Sequence, residues 1–203
     1  MSDIIIIEKH QWEEITMNKN WIIKCMNEKQ KQEALNFVEK VFTISEGEKE
    51  GKTVKNLVEE IRNGKFYLPD LELIMTDETN SIIGYAMFSR FHLEGKYDNQ
   101  LLLLSPVAVK TELQRQHISK ELIEYGFEKA KEMGYEVVLV EGNPQNYNAR
   151  GFKTSCDYGI VASEKIGLPA PECLMVKELK DGALEAIEGI VDYSYYESLV
   201  SGE

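Results

Sequence analysis

Residues 101–152 read LLLLSPVAVKTELQRQHISKELIEYGFEKAKEMGYEVVLVEGNPQNYNARGF, and this stretch decides the fold. Leu101–Val109 is almost wholly apolar, as expected of a strand buried on both faces. Pro106 interrupts it. Proline has no N–H for the ladder, so the strand carries a bulge or an edge at that point. A bulge in an otherwise buried strand opens the sheet and frees amides and carbonyls for a ligand. Residues 116–133 follow, with Ile118, Leu122, Ile123, Phe127, Ala130 and Met133 along one side of an amphipathic helix. Gly134 is its stop. Glu136–Val140 is the next strand, and the Asn- and Pro-rich segment 142–148 is a turn.

Working outward, Leu71–Met75 and Ile82–Arg90 read as adjacent strands across the polar turn Asp77–Asn80. Ala34, Leu35, Val38, Val41 and Phe42 fall at helical spacing, and Val54, Leu57, Val58 and Ile61 do so in a second helix that Asn63-Gly64 ends. Ile4–Ile7 and Trp21–Met26 read as strands, and two more are expected at Phe152–Val161 and Cys173–Leu179. The predicted order is β, α, α, β, β, β, α, β, short α, β, β, with no repeat and no linker. One α/β domain over 1–203 is the economical reading, with 1–20 as an N-terminal extension. Asp181–Glu203 carries six acids and no Lys or Arg, with Tyr193, Tyr195 and Tyr196 clustered. Such a tail packs on its own domain, or it walls a site for a cationic substrate.

The composition excludes several function classes. Lys and Arg number 23 against 35 Asp and Glu, a formal charge of −12. That excess repels nucleic acid and anionic membrane at long range. No apolar run approaches a membrane span, and no secretory leader is evident. Cys25, Cys156 and Cys173 are scattered without a CxxC, which suits a reducing cytoplasm. His10, His92 and His117 are too dispersed for a metal site, so no metal is expected. Gly47–Thr53 (GEKEGKT) ends like a phosphate loop, but one spacer residue is missing and Glu48 and Glu50 would repel phosphate. It reads as a solvated loop with Thr53 near a helix start.

The residues after the bulged strand point to an anion. A helix N-terminus offers unpaired amides and partial positive charge, which together attract phosphate. Lys110, Arg115 and Lys120 add a basic cluster there on an otherwise acidic chain.

At these residues the chain resembles the GNAT superfamily of N-acetyltransferases. That family joins a bulged strand to a helix through a Gln/Arg-x-x-Gly-x-Gly/Ala turn whose amides hold the pyrophosphate of acetyl-coenzyme A. Here Val107-Ala108-Val109 precede the turn, Gln114 takes its first position, and Ile118, Leu122 and Ile123 follow. Gly134-Tyr135 leads into the next strand, and GNPQNYNARGF (142–152) is similar to the family's segment with Tyr shortly before Gly-Phe. Met175–Leu184 is similar to the last strand of a bacterial branch. The resemblance covers residues 80–180, and the two preceding helices in outline. His117 and Ser119 stand where the family carries glycine, and no carboxylate occurs between Leu101 and Val109.

The resemblance implies a mixed, mostly antiparallel central sheet flanked by helices, with a bulged central strand. It implies acetyl transfer from acetyl-coenzyme A to a primary amine, the acceptor being a small molecule and a homodimer staying open. Backbone at Val107, Ala108 and Val109 would hold the pantetheine arm. Gln114, Arg115, Gln116, His117, Ile118, Ser119 and Lys120 would hold the pyrophosphate, with Asn143 a further cofactor contact. Tyr147 matches the family's general acid, protonated at neutral pH as an acid must be. Glu141 is the first choice of base, with Glu94 and Asp98 as substitutes. The acidic surface favours a cationic acceptor. The rival from another class is a non-catalytic module of the same fold that binds an acyl-coenzyme A or a protein partner.

Overall fold

The computed structural model describes residues 21–200, together with the backbone of a short strand at 15–16. The strand expected at Ile4–Ile7 lies outside the described residues, as does most of the 1–20 extension. In chain order the elements are β1 (Ile15–Thr16), β2 (Ile22–Cys25), α1 (Lys31–Glu46), α2 (Glu48–Asn63), β3 (Glu72–Thr76), β4 (Ile82–Arg90) and β5 (Leu101–Val109). There follow α3 (Ile118–Glu132), β6 (Val137–Glu141), α4 (Pro144–Tyr147), β7 (Lys153–Thr154), β8 (Ile160–Ala162), β9 (Leu174–Glu178), β10 (Gly189–Val191) and α5 (Glu197–Val200).

Eight strands form one sheet in the order β1-β2-β3-β4-β5-β6-β9-β7. Every pairing in it is antiparallel except β5 with β6, which α3 connects as a crossover. Strand alternation divides the core between the two faces. Tyr85, Met87, Leu101, Leu103, Val137 and Leu139 pack under α1 and α2. Ala86, Phe88, Leu102, Leu104, Val138 and Val140 pack under α3 with Ile118, Leu122 and Ile123. Each fully buried Val, Leu, Ile, Met or Phe among them contributes about 1.5–3 kcal/mol. Two apolar faces on one strand explain why Leu101–Leu104 is an unbroken run.

A buried ion pair holds α2 to the sheet. Glu72, fully buried on β3, accepts from Arg62 Nη2 at 2.6 Å and Nε at 2.9 Å. Tyr85 and Tyr67 donate their hydroxyls to its two oxygens at 2.5 Å each. Arg62 also donates to the Lys31 carbonyl at 3.1 Å, tying α1 into the cluster. The carboxylate therefore has four donors and a counter-charge, the condition under which a buried charge is tolerated.

Three sequence expectations are corrected. Residues 48–53 are helix rather than solvated loop, because α2 starts at Glu48. Gly51 is buried against α1, where a Cβ would lie 2.1 Å from Thr43 Oγ1, so its missing side chain serves close helix packing. Residues 152–161 are not one strand: a 3-10 turn over Ser155–Tyr158 separates β7 from β8. The second piece leaves the main sheet to pair in parallel with β10, which was not expected at all. Finally α3 starts at Ile118 rather than 116, since His117 is left-handed and cannot continue a right-handed helix.

Candidate active site

The parallel pairing of β5 and β6 covers Leu101–Leu103 against Val137–Leu139, while β5 runs on to Val109 and β6 to Glu141. Past Leu103 the two strands share no ladder, and a cleft opens between their C-terminal ends. A bulge sits on the other edge of β5. Ala86 pairs with Val107 and Phe88 with Leu104, so Met87 stands opposite the two residues Ser105 and Pro106. This is the bulge expected at Pro106, and it lies just past Leu103, where the ladder with β6 ends. Val107, Ala108 and Val109 lie beyond the bulge, with Ala108 turned to the α1/α2 face and Val107 and Val109 to the α3 face.

The turn into α3 keeps a glycine-like backbone without glycine. A 3-10 turn over Thr111–Leu113 leads to Gln114, then Arg115 at φ 62° and His117 at φ 66°. Left-handed backbone costs an ordinary residue about 1–2 kcal/mol, and His is among the residues that adopt it most readily. The first backbone bond at the start of α3 runs from the Glu121 N–H to the His117 carbonyl at 3.0 Å. No side chain caps the helix start. The amides of Ile118, Ser119 and Lys120 therefore face the turn without an intrahelical partner. Gln114, Arg115, Gln116, His117, Ile118, Ser119 and Lys120 are gathered in this one turn. Ile118 contributes backbone only, since its side chain is buried under the sheet. Ser119 Oγ accepts from Arg150 Nη2 at 2.9 Å, a contact between α3 and the segment after α4.

Tyr147 and Asn143 come from the short helix beyond β6. The Asn143 side chain caps it, accepting from the Gln145 amide at 2.9 Å. Its oxygen is thus engaged, which leaves its amide nitrogen for a ligand. Tyr147 lies across Gly142, where a Cβ would meet its ring at 2.7 Å. Its ring stands edge-on to Phe152 at 5.5 Å and packs with the α3-side core. Burial pushes the Tyr147 phenol up, and the Arg150 cation opposes that shift.

Glu141 ends β6 on the opposite face. Val137 and Leu139 before it, and its cross-strand partner Leu174, all belong to the α1/α2 side. Glu141 is exposed at the strand end, yet partial desolvation pushes its carboxyl up, and the neighbouring Tyr193 phenol draws it back down. Burial and that carboxylate together hold the Tyr193 phenol well above its ordinary range. Tyr193 arrives on the acidic tail. Ile187, Val191 and Tyr196 of that segment join the core, and the Tyr193 ring stands edge-on to Phe91 at 5.9 Å. An Asx turn, with Asp192 accepting from the Ser194 amide at 2.8 Å, precedes α5. The tail is therefore packed on its own domain and also walls the Glu141 side of the cleft.

Glu94, one of the two substitute bases with Asp98, lies beside Gly189 of the tail segment. Both belong to the loop before Leu101, about 13 Å of strand short of the bulge. Tyr193 and Arg150 were not singled out as site residues. The tyrosine cluster was a signal for the first; nothing in spacing marked the second. Among the described residues no group of three or more His, Cys, Asp or Glu could hold a metal ion. No helix among them is long and apolar enough to cross a membrane.

Comparison with known proteins agrees with this geometry. The model of the acetyltransferase (GNAT) family matches residues 32–158. The uncharacterized N-acetyltransferase YhbS of Escherichia coli K12 is 30% identical over 138 residues, 68% of this chain and 78% of that protein. The crystal structure of E. coli YhbS in complex with CoA superposes with a TM-score of 0.73 at 25% identity, covering 89% of this chain and 92% of that one. A GNAT acetyltransferase from Brucella melitensis in complex with acetyl-CoA shares the fold, with a TM-score of 0.67 at 18% identity over 90% of this chain and 99% of the other. A strand opened by a bulge, an uncapped helix start beside it and these matches lead to one statement: the chain belongs to the GNAT acetyltransferase family and is an acyltransferase.

Proposed function

We propose that this acyltransferase moves the acetyl group of acetyl-coenzyme A to the primary amine of a small cationic molecule in the cytoplasm, the chain acting as one domain. The observation that carries the reading is a pair of titratable groups on opposite sides of the opened strand end. Glu141 has its carboxyl pushed up by desolvation at the strand end, and burial pushes the Tyr147 phenol up, which keeps it protonated. Environments that separate an acid from a base in this way assign the roles.

The residues present fit the coenzyme. The uncapped amides of residues 118–120, with the turn from Gln114, suit a pyrophosphate, and the unpaired β5 edge around Val107–Val109 suits an amide-bearing arm. Asn143 offers its amide nitrogen at the far lip. The coenzyme supplies an activated thioester. Glu141 takes the proton that the ammonium must lose to become a nucleophile. Tyr147 gives its phenolic proton to the sulfur as the C–S bond breaks and the C–N bond forms. From ammonium to amide the nitrogen loses two protons, the first to Glu141 before attack and the second to water as the amide forms. One proton reaches the thiol from Tyr147. Exchange with water then reprotonates Tyr147, empties Glu141 and releases one net proton.

The acceptor class follows from charge. Glu141 faces the acidic tail segment, in which no Lys or Arg occurs. A cationic amine is drawn to such a wall, while an acidic one is repelled. The test is a thiol-release assay with acetyl-coenzyme A against diamines, aminoglycosides and amino acids. Turnover favouring the polycationic amines supports the reading; preference for acidic or neutral acceptors overturns it. Tyr147→Phe should lower turnover about 100-fold while coenzyme affinity stays within twofold. Full turnover by that variant removes Tyr147 from the mechanism.

A further inference from the structure

His117 and Ser119 leave the turn without its glycines, and the chain as a whole repels a polyanion. Something local must compensate, and Arg150 is placed to do so. Its Nη2 donates to Ser119 Oγ at 2.9 Å, and its Nη1 donates to the Asn146 carbonyl. These contacts fix a guanidinium beside the first turn of α3. Among the described residues Arg150 forms no ion pair, although the chain carries 35 acidic residues. Its Nε is buried with no partner, and its guanidinium lies 5.8 Å from the Tyr147 ring. An oriented, half-buried cation without a counter-ion is suited to an anionic ligand.

We propose that Arg150 is a positioning residue for the coenzyme's phosphates, anchored through Ser119 at the position where the family carries glycine. The serine hydroxyl locks the fork, and the fork supplies the positive charge that close backbone approach would otherwise provide. The same cation lies beside Tyr147, where it favours the phenolate left after proton transfer. The proposal rests on the reading that the start of α3 receives the pyrophosphate. It also explains why a hydroxyl at residue 119 is compatible with that role.

Titration calorimetry of the full chain with acetyl-coenzyme A, at low and at raised salt, tests it. Arg150→Gln should bind about tenfold more weakly at low salt, and its affinity should fall less steeply with salt than that of the wild type. Arg150→Lys should recover part of the loss, because charge returns without the fork. Ser119→Ala should weaken binding about threefold, and the double variant should be no worse than Arg150→Gln alone. Wild-type affinity in Arg150→Gln overturns the proposal. So does a loss that keeps the wild-type salt dependence, since that marks Arg150 as a structural tie between α4 and α3. No binding by the wild-type chain at millimolar coenzyme would overturn the functional reading as well, and so separates the two failures.

Discussion

Two carboxylates of one sheet, on strands with β4 and β5 between them, meet opposite fates. Glu72 is fully buried, yet two Arg62 nitrogens and two tyrosine hydroxyls saturate it. Glu141 stands at an open strand end, with partial desolvation raising its carboxyl and a single phenol beside it. The first arrangement engages both oxygens, one of them three times, and ties α2 to β3. The second keeps a carboxylate short of partners, which is costly for folding and useful for taking a proton. Partner count and burial both separate the two: Glu72 is fully buried and paired, while Glu141 is exposed at its strand end.

The comparison breaks most visibly at Arg62. Arg62→Ala strands the Glu72 charge in the core and should cost about 3–5 kcal/mol in urea unfolding; a loss below 1 kcal/mol would mean that the cluster is not what holds α2. On the other side of the comparison, Tyr193→Phe removes the phenol that draws the Glu141 carboxyl down. The acid limb of the pH–rate profile should move to higher pH with the fold intact; an unmoved limb would separate Tyr193 from the base. A smaller effect is expected at Glu60, which accepts from the Glu197 amide at 2.7 Å and from the Ser198 amide at 3.0 Å. Glu60→Gln weakens this cap of the tail and should cost about 0.5–1 kcal/mol, read as a lowered unfolding temperature.

The smallest effect has the most telling sign. The native chain holds the Glu141 proton more tightly than the unfolded chain does. Above both pKa values the charged form therefore costs stability, and below them that cost is gone. Glu141→Gln should raise the unfolding temperature slightly at pH 7 and leave it unchanged near pH 3. Glu72→Gln should lower it at both. Destabilisation by Glu141→Gln at pH 7 would place that carboxylate in the structural class.

Much of this was legible in the chain because the signals were local. The apolar run Leu101–Leu104 with Pro106 gave away a strand buried on both faces and bulged, and the Ile118–Ala130 stripe gave away α3. Resemblance to one family then singled out Tyr147, with Glu141 a substitute for the strand carboxylate that this chain lacks. What stayed hidden depends on contacts between distant segments. Nothing near Gly51 shows that α1 lies against it, so a buried glycine looked like loop. Phe152–Val161 looked like one strand because the partner that claims its second half is β10, far along the chain. The Glu141–Tyr193 couple and the Arg150–Ser119 bond join residues that no spacing rule connects. His117 misled in a different way: the residue changed while the left-handed backbone stayed.

The most direct test of the account is turnover by Glu141→Gln with saturating acetyl-coenzyme A and the best cationic amine. The account predicts a loss of about 100-fold at pH 7 with coenzyme affinity unchanged and the acid limb of the pH profile abolished. Turnover equal to that of the wild type, with the same limb, would contradict it.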